Sequence, residues 1–341
     1  MIEFKFITKK TNWEKFVASH QQANFLQSYN WGLFEEKLGK RFFAIAIFEN
    51  QQQIGAAMVI KEKAKRGDYL TIAGGPLINW ESKKISLIFK QFCDFILRLA
   101  KKEDCHFVRV RPQAQDSPQL RLLFQNNHFK PAPMHLTADL TLRLDLTQAD
   151  EQLLTQMRKN TRYEIKKAQR MGIVTKIIQD SSFMDQFHSH QLYLANKHHF
   201  VPFEYNFLLE QFKAFAKDNQ VAFVNSYYQQ QLLASAFVIF YHNEAVYHYG
   251  VSTPANEKLP GSYATQWAAI KEARERGCAV YNFWGVSPIQ QKSHRFAGPS
   301  LFKRGFGGYE LQHLPAHDLP TSKIYPLIRT FELLRKKTRN L

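Results

Sequence analysis

Apolar residues in the first half of the chain recur at two different periods, which predict strands in some segments and helices in others. The predicted order is strand, helix, hairpin, amphipathic helix and strand, over residues 2–7, 12–19, 42–60, 83–102 and 105–110, and residues 25–38 connect the first helix to the hairpin. The hairpin is indicated by two apolar runs on either side of a short polar tip at 49–53. The first half is therefore expected to mix helices and strands, with most strands before the main helix.

The second half repeats this order. It reads as three strands, a helix and a further strand, over residues 221–226, 232–241, 245–251, 263–276 and 279–285. The two hairpin tips and the two junctions between a helix and a cysteine each lie about 175 residues apart, and a fixed offset favours a tandem duplication over coincidence. Antiparallel strands followed by a helix and another strand fit an α/β acyltransferase-like module built twice.

A connecting region joins the two halves, and a last helix ends the chain. The connection contains a strand-like stretch at 140–146 and a helix at 147–172, for which Thr147 is the expected N-cap. The buried stripe of this helix is expected to consist of Leu153, Met157, Thr161, Ile165 and Ala168. The last helix, at 324–341, has an apolar side that requires a docking surface.

The chain is strongly basic. The chain has 46 Lys and Arg against 29 Asp and Glu, a net charge of +17, which favours a polyanionic partner over a surface kept basic for solubility alone. The densest basic segment lies on the helix at 147–172, where Arg162, Lys166, Gln169 and Arg170 share one side. Such a face suits phosphate groups, and an ordinary solvated helix face is the alternative.

The cellular setting is predicted from cysteines and apolar runs. Three cysteines without CxxC spacing indicate reduced thiols in a cytoplasmic protein. The start of the chain lacks a signal-peptide core, and the longest apolar runs are too short to span a bilayer. We therefore expect a soluble monomer that can touch the inner membrane face without crossing it.

Candidate chemistry concentrates late in the chain. GxSxG, HExxH and phosphate-loop motifs are absent from the sequence, and the histidines near 188–199 lack a metal-ligand pattern, so neither a metal nor a cofactor is expected. After a loop with Gly298 and Pro299, Lys303 stands between Phe302 and a glycine turn. A lysine held in this way can stabilise a developing oxyanion, and an ordinary turn lysine is the alternative. Tyr247 and Tyr249 are expected to line the same cleft from one strand face.

Several stretches together resemble the FemA/FemB/FemX family of aminoacyltransferases. The basic helix reads Met157-Arg-Lys-Asn-Thr-Arg-Tyr-Glu-Ile-Lys-Lys-Ala, and the later motifs are Tyr263-Ala-x-Gln-Trp, Gly277-Cys-x-x-Tyr-Asn-Phe-x-Gly and Phe302-Lys-x-x-Phe-Gly-Gly. Phe25-Leu-Gln-Ser-x-x-Trp-Gly is similar to the opening of the family's first domain. The resemblance extends along nearly the whole chain, and the combination is more specific than any single motif.

The resemblance implies a fold, and with it a division of the chain. The expected fold is α/β (α+β) with two tandem acetyltransferase-like (GNAT-like) domains, residues 1–146 with 320–341 forming the first and residues 147–319 the second. The segment between Gly172 and Val221 is too short for a long coiled-coil arm, so the compact FemX-like form is expected.

The resemblance also implies an activity and its residues. The activity is transfer of an amino acid from aminoacyl-tRNA, as co-substrate, to the stem peptide of UDP-MurNAc-pentapeptide or lipid II. Lys303 would be the catalytic lysine and Phe302 its neighbour. The basic helix would bind substrate through Arg162, Lys166 and Lys167, the two lysines contacting the diphosphate of the precursor, and Tyr247 and Tyr249 would line the channel.

The first domain departs from the family pattern. A substrate-binding lysine is expected shortly after Trp31, but Glu35 lies near that position and Lys37 follows two residues later, so Lys37 is the candidate. Arg111 occupies a position where FemX-like proteins can carry an acidic residue. The sequence leaves three alternatives open: a coenzyme A-dependent N-acyltransferase, aminoacyl transfer to a protein N-terminus or a lipid, and RNA binding without catalysis.

Overall fold

The computed structural model describes residues 1–291 and 293–339. The strands, in chain order, are β1 Ile2–Phe6, β2 Arg41–Glu49, β3 Gln52–Glu62, β4 Tyr69–Ala73, β5 Leu77–Ile78, β6 Phe107–Arg111, β7 Lys130–Pro131, β8 Leu140–Asp145, β9 Val174–Ile178, β10 Val221–Tyr228, β11 Gln231–Tyr241, β12 Glu244–Ser252, β13 Val280–Gly285, β14 Tyr309–Gln312 and β15 His317–Pro320. The helices are α1 Lys10–Ser19, α2 Tyr29–Lys37, α3 Ile85–Lys102, α4 Pro118–Asn126, α5 Asp150–Gln156, α6 Lys159–Arg170, α7 Met184–His198, α8 Tyr205–Ala216, α9 Gly261–Glu275, α10 Ala297–Arg304 and α11 Tyr325–Arg339. Within the described ranges, no helix combines the length and the apolar character that crossing a membrane requires.

The chain forms two compact units. The first comprises residues 1–139 and 312–341, and the second comprises residues 140–311. The predicted division placed 140–146 in the first domain and 312–319 in the second. The structure assigns these segments differently because β8 pairs with β13 of the second sheet and β15 pairs with β6 of the first.

The first unit is built on a sheet with strand order β1-β2-β3-β4-β6-β15-β7, to which β5 adds beside β3. Most neighbours are antiparallel, but β4 and β6 run parallel because α3 returns the chain between them. One face of α3 is buried against the sheet, as its apolar spacing predicts, through Ile88, Phe89, Phe92, Ile96 and Leu99. These side chains form the core of the first unit.

The second unit has a sheet of order β14-β8-β13-β12-β11-β10-β9. Here β12 and β13 run parallel, with α9 as the return helix. The core on the α9 side contains Trp267, Ile270, Tyr281 and Phe283. On the other side of the sheet, α7 and α8 pack through Phe187 and Phe212 against Phe223 and Phe237.

The two units share the repeated order that the sequence predicts. Each has a hairpin, a third antiparallel strand, a helix and then a strand parallel to the third. Even the hairpin tips agree, because Asn50 and Gln51 in one and Gln229 and Gln230 in the other are successive residues with positive φ. Two such residues match the turn geometry that the twist of a hairpin favours.

Three local predictions differ from the structure. The helix expected at 147–172 is divided into α5 and α6 by extended backbone at Met157 and Arg158. Thr147 does not cap it, because the Thr147 hydroxyl donates to Asp145 and the helix begins after Ala149. The segment around Gly298 and Pro299, expected as a loop, is helix α10, and its Pro299 lies in the first turn, where proline is compatible with a helix.

Candidate functional site

Lys303 lies in the last turn of the short helix α10, directly after the partly buried Phe302. Phe302 is fixed by edge-on contacts with Tyr263 and Phe306, whose ring centroids are 5.1 Å and 5.3 Å away. Because Tyr263 belongs to α9 and Phe306 follows α10, these rings attach the lysine helix to the core of the second unit. The expected aromatic wall beside Lys303 is therefore present.

The ammonium group of Lys303 points toward the end of β13. Its Nζ donates a hydrogen bond of 2.8 Å to the carbonyl oxygen of Gly285 and stands 5.7 Å from the centre of the Tyr247 ring. Burial lowers the pKa of Lys303 from 10.5 to about 8 because an ammonium group loses water there. The arrangement holds a cation against a carbonyl and a ring, where a substrate oxygen that gains negative charge would be stabilised strongly.

The carbonyl that holds Lys303 is positioned by an irregular end of β13. The pairing of β13 with β8 shifts between Asn282 and Gly285, and within this irregularity Trp284 adopts a positive φ of 63°. The Trp284 N–H donates to Asn282 Oδ1 at 2.8 Å, and Asn282 itself is fully buried. A bulky residue in this backbone region costs energy, and such strain clusters at functional sites.

The C-terminal end of α10, which carries Lys303, is also held by the beginning of α6. The backbone N–H of Arg158 donates to Gly305 O at 2.9 Å, and the Arg158 guanidinium donates to Leu301 O. A Cβ atom on Gly305 would come within 2.5 Å of Thr161 Oγ1, so only glycine fits this contact without displacement. Arg304 adds a bond of 2.6 Å to Ser287 O. The first turn of α6 therefore sets the position of Lys303.

Two cavities of the second unit adjoin this arrangement and share Ser262 and Phe302 in their walls. The first, of about 310 Å³, is lined without any charged side chain by Leu194, Ala234, Ser235, Tyr247, Gly250, Val251, Ser252, Ser262, Thr265, Gln266, Gly298, Pro299 and Phe302. The second, of about 350 Å³, is charged and is lined by Asn160, Glu164, Lys167, Asn256, Glu257, Lys258, Leu259, Pro260, Ser262, Tyr263 and Phe302. Lys303 is thus connected to the neutral cavity through its neighbours Phe302 and Tyr247, and to the charged cavity through Phe302.

The basic helix divides into structural and outward-facing residues. Its predicted buried stripe is confirmed, since Leu153, Met157, Thr161, Ile165 and Ala168 are all buried. Arg162 donates to the carbonyl oxygens of Thr155 at 2.8 Å and Met157 at 2.6 Å, so its guanidinium caps the end of α5. Lys166 is exposed, and Lys167 lies in the charged cavity, 3.8 Å from Glu164.

The expectation that Tyr247 and Tyr249 share a face is wrong. Tyr247 pairs with Val238 and Tyr249 pairs with Phe237, because the register shifts there and leaves His248 as an extra residue. Phe237 and Val238 are neighbours in β11 and therefore point to opposite faces of the sheet. The tyrosines paired with them point to opposite faces as well. Tyr247 lies in the α9-side core and lines the neutral cavity, where burial raises its pKa to about 12. Tyr249 packs on the other face against Phe203 and Phe237.

The candidates of the first unit occupy different surroundings. Lys37 is exposed in the last turn of α2. Glu35 is buried and forms an ion pair of 2.7 Å with Lys40, and burial raises the pKa of its carboxyl. Arg111 is fully buried at the end of β6 and donates to Gln113 and to the carbonyl oxygen of Ala138. The two departures from the family pattern are thus integrated into the fold of the first unit.

Sequence reasoning missed the partners of Lys303. The Gly285 carbonyl and the strained Trp284 are backbone features, and their signal in the sequence is a Trp-Gly pair at the end of a buried strand. Glu164, inside the basic helix, was also passed over, although an acidic residue among lysines is visible in the sequence. Over 1–291 and 293–339, no group of three or more His, Cys, Asp or Glu side chains is arranged to hold a metal ion.

Comparisons with known proteins give a consistent result. Aminoacyltransferase FemA of Staphylococcus epidermidis is 31% identical over 105 residues, which are 30% of this chain and 25% of FemA. The matched stretch thus spans about a quarter of that relative. A crystal structure of FemX superposes on 96% of this chain and 100% of its own, with a TM-score of 0.86 and 16% identity. A tandem GNAT protein from the clavulanic acid biosynthesis pathway covers 94% of this chain and 99% of its own, with a TM-score of 0.57 and 9% identity.

These structural matches establish the fold, which consists of two GNAT-like domains in tandem. The expected absence of a long arm agrees with the FemX match and with the described helices, of which the longest, α3, has 18 residues. The profile of the FemAB family matches residues 8–121 and 208–332, more than half of the chain and parts of both units. The chain belongs to the FemAB family.

Proposed function

We propose that this protein is an aminoacyltransferase that moves an amino acid from aminoacyl-tRNA to the stem peptide of a peptidoglycan precursor. Family membership supports the reaction class, and the name of the FemA relative, an aminoacyltransferase, agrees with it. The observation that carries the proposal is the ammonium group of Lys303, held by the Gly285 carbonyl beside two cavities.

The chemistry requires little from the protein beyond position and charge. The acceptor amine attacks the ester carbonyl carbon of the aminoacyl-tRNA and forms a C–N bond, while the carbonyl oxygen becomes an oxyanion. Collapse of this intermediate breaks the bond to the ribose oxygen, which takes up a proton as the amine gives one up. Lys303 stabilises the oxyanion electrostatically, and the cavities orient the two substrates.

Charge supports the choice of substrates. Aminoacyl-tRNA and a diphosphate-linked precursor are both rich in phosphate, and the net charge of +17 favours such partners. Lys166 and Lys167 are proposed to contact phosphate, because the first is exposed and the second lines the charged cavity. Tyr247 and Phe302 are proposed to line the acceptor side, since both belong to the neutral cavity.

A product assay tests this function. The purified protein is incubated with a charged tRNA pool and either UDP-MurNAc-pentapeptide or lipid II, and the acceptor is examined by mass spectrometry. We expect a gain of one aminoacyl residue on one of the acceptors and no gain with deacylated tRNA. A lack of product with every aminoacyl-tRNA would refute the proposal. So would acetylation of the acceptor in a parallel incubation in which acetyl-CoA replaces the charged tRNA.

A further inference from the structure

An apolar stripe on the outer side of α11 is largely exposed, and the Arg66 side chain lies over only its Phe331 ring among the contacts of the described residues. Ile324, just before the helix, and Leu327, Phe331 and Leu334 within it are 43%, 74%, 41% and 60% exposed. Their spacing of three, four and three residues places them along one side. Large apolar side chains that remain exposed in one contiguous row mark a surface for interaction.

The opposite side of α11 is anchored, which fixes the direction of the stripe. Tyr325 is buried and its hydroxyl donates to Asp318 Oδ2 at 3.0 Å. Glu332 accepts a bond of 2.7 Å from Arg109, which also forms a bidentate pair with Asp318. Arg329 donates to the Pro131 carbonyl at 2.6 Å. Rotating the helix to bury the stripe would break this network, so the apolar row faces outward.

Basic residues border the stripe. The segment 323–339 contains six Lys and Arg residues and one acidic residue, Glu332, whose carboxylate is occupied by Arg109. Lys323, Arg335 and Lys337 are exposed, and the guanidinium carbon of Arg66 stands 3.1 Å from the centre of the Phe331 ring. An apolar row with cations on its borders has the character of a helix that lies in the interface of an anionic bilayer.

We propose that α11 docks this protein on an anionic phospholipid surface, with Leu327 and Leu334 entering the interface and the flanking cations meeting lipid phosphates. A second copy of the chain is a poorer occupant, because pairing two such faces would bring their cations together in a protein that already carries a charge of +17. A bilayer supplies apolar depth and negative charge in the same surface. The proposal does not depend on the proposed transfer reaction.

Vesicle flotation of the full chain tests this docking. The probes are phosphatidylcholine vesicles with and without phosphatidylglycerol. We expect binding to the anionic vesicles that weakens with salt. The double variant Leu327→Glu, Leu334→Glu should reduce it by at least about tenfold, since it removes apolar contact and adds negative charge. Leu122→Glu is the matched control, because Leu122 is 55% exposed on α4, and it should bind like the wild type.

Two further variants separate docking from a folding effect. Leu327→Met with Leu334→Met should retain binding, and Lys323→Glu with Lys337→Glu should lose binding without touching the stripe. All variants should keep the wild-type melting temperature, since the changed side chains are exposed. Failure of the wild type to float with anionic vesicles, or equal binding by the Leu→Glu variant, would overturn the proposal. So would self-association in light scattering that the same variant abolishes, because a second copy would then cover the stripe.

Discussion

Replacing Lys303 with methionine removes the ammonium group and keeps most of the apolar stem. The Phe302 contacts with Tyr263 and Phe306 remain, so α10 should stay in place. What disappears is the hydrogen bond to Gly285 O and the positive charge near the Tyr247 ring. The variant therefore separates charge from packing at the candidate site.

The magnitude of the expected effect differs between rate and stability. Loss of one group that stabilises an oxyanion costs about 10²-fold to 10³-fold in rate. For stability, the lowering of the Lys303 pKa from 10.5 to about 8 means that the buried charge costs the folded state about 3 kcal/mol at neutral pH. The lost hydrogen bond is worth about 1.5–3 kcal/mol in the other direction. We thus expect a large loss of rate with a melting temperature that is unchanged or higher.

The pH dependence follows from the same shift. Because the folded-state pKa lies below the unfolded value, the unfolded chain binds more protons between about pH 8 and 10.5. The wild type therefore gains stability from this group as the pH rises through that window, and the methionine variant lacks this gain. Transfer depends on the charged form, so the rate of the wild type should fall as the pH rises through about 8.

The assay is single-turnover transfer from aminoacyl-tRNA, measured beside thermal unfolding. Lys271→Met on α9 is the matched control, because Lys271 is exposed and lies in the same unit. It should change neither quantity. The reasoning is refuted if the Lys303 variant transfers at the wild-type rate, or if its rate falls only in proportion to a lower melting temperature.

Four other substitutions test the surroundings of the site and the first unit. Arg162→Met should lower the free energy of unfolding by about 1–3 kcal/mol, because the hydrogen bonds of Arg162 to α5 are lost. Lys166→Met should leave denaturant unfolding unchanged and reduce the salt slope of tRNA binding by about 0.7–0.9. A stability loss in the Lys166 variant and a reduced salt slope in the Arg162 variant would contradict these roles. Asp318→Ala should lower the free energy of unfolding, measured in urea, by about 3–5 kcal/mol, since Arg109 would lose a buried partner. An unchanged urea midpoint would disprove this. Gly305→Ala should lower the free energy of unfolding by about 1–3 kcal/mol and also slow transfer, because the added Cβ would collide with the first turn of α6. A variant with wild-type stability and wild-type transfer would show that no such collision occurs.

The duplicated fold could be predicted because its signals are local. The two hairpins show period-two apolar runs around polar tips, and α3 shows one apolar face at helical spacing. Each signal requires only neighbouring residues, so the order of elements in both units followed from the sequence. The unit boundaries did not, because they depend on which sheet accepts β8 and β15, and strand pairing across the chain is a tertiary choice.

The site was predicted less completely for a related reason. Lys303 was found because its neighbours in sequence, Phe302 and the glycine turn, are also its structural frame. The Gly285 carbonyl was not found, since it depends on the irregularity that places Trp284 at positive φ. Tyr249 was assigned to the wrong face because a single extra residue in β12 reverses the alternation beyond it.

The position of the basic motif beside Lys303 has a mechanical explanation as well as an electrostatic one. Arg158 and Thr161 contact the α10 segment at Leu301 and Gly305, so this part of the motif sets the place of the lysine helix. Farther along the helix, Lys166 and Arg170 are exposed and Lys167 lines the charged cavity, so these cations remain available to phosphate. Consequently Arg158→Ala should slow transfer by displacing Lys303, and this loss should persist at saturating tRNA. Lys166→Ala should raise the tRNA concentration required and leave the saturated rate unchanged. Measuring rate against tRNA concentration distinguishes the two, and a saturable rescue of the Arg158 variant would show that Arg158 grips phosphate instead.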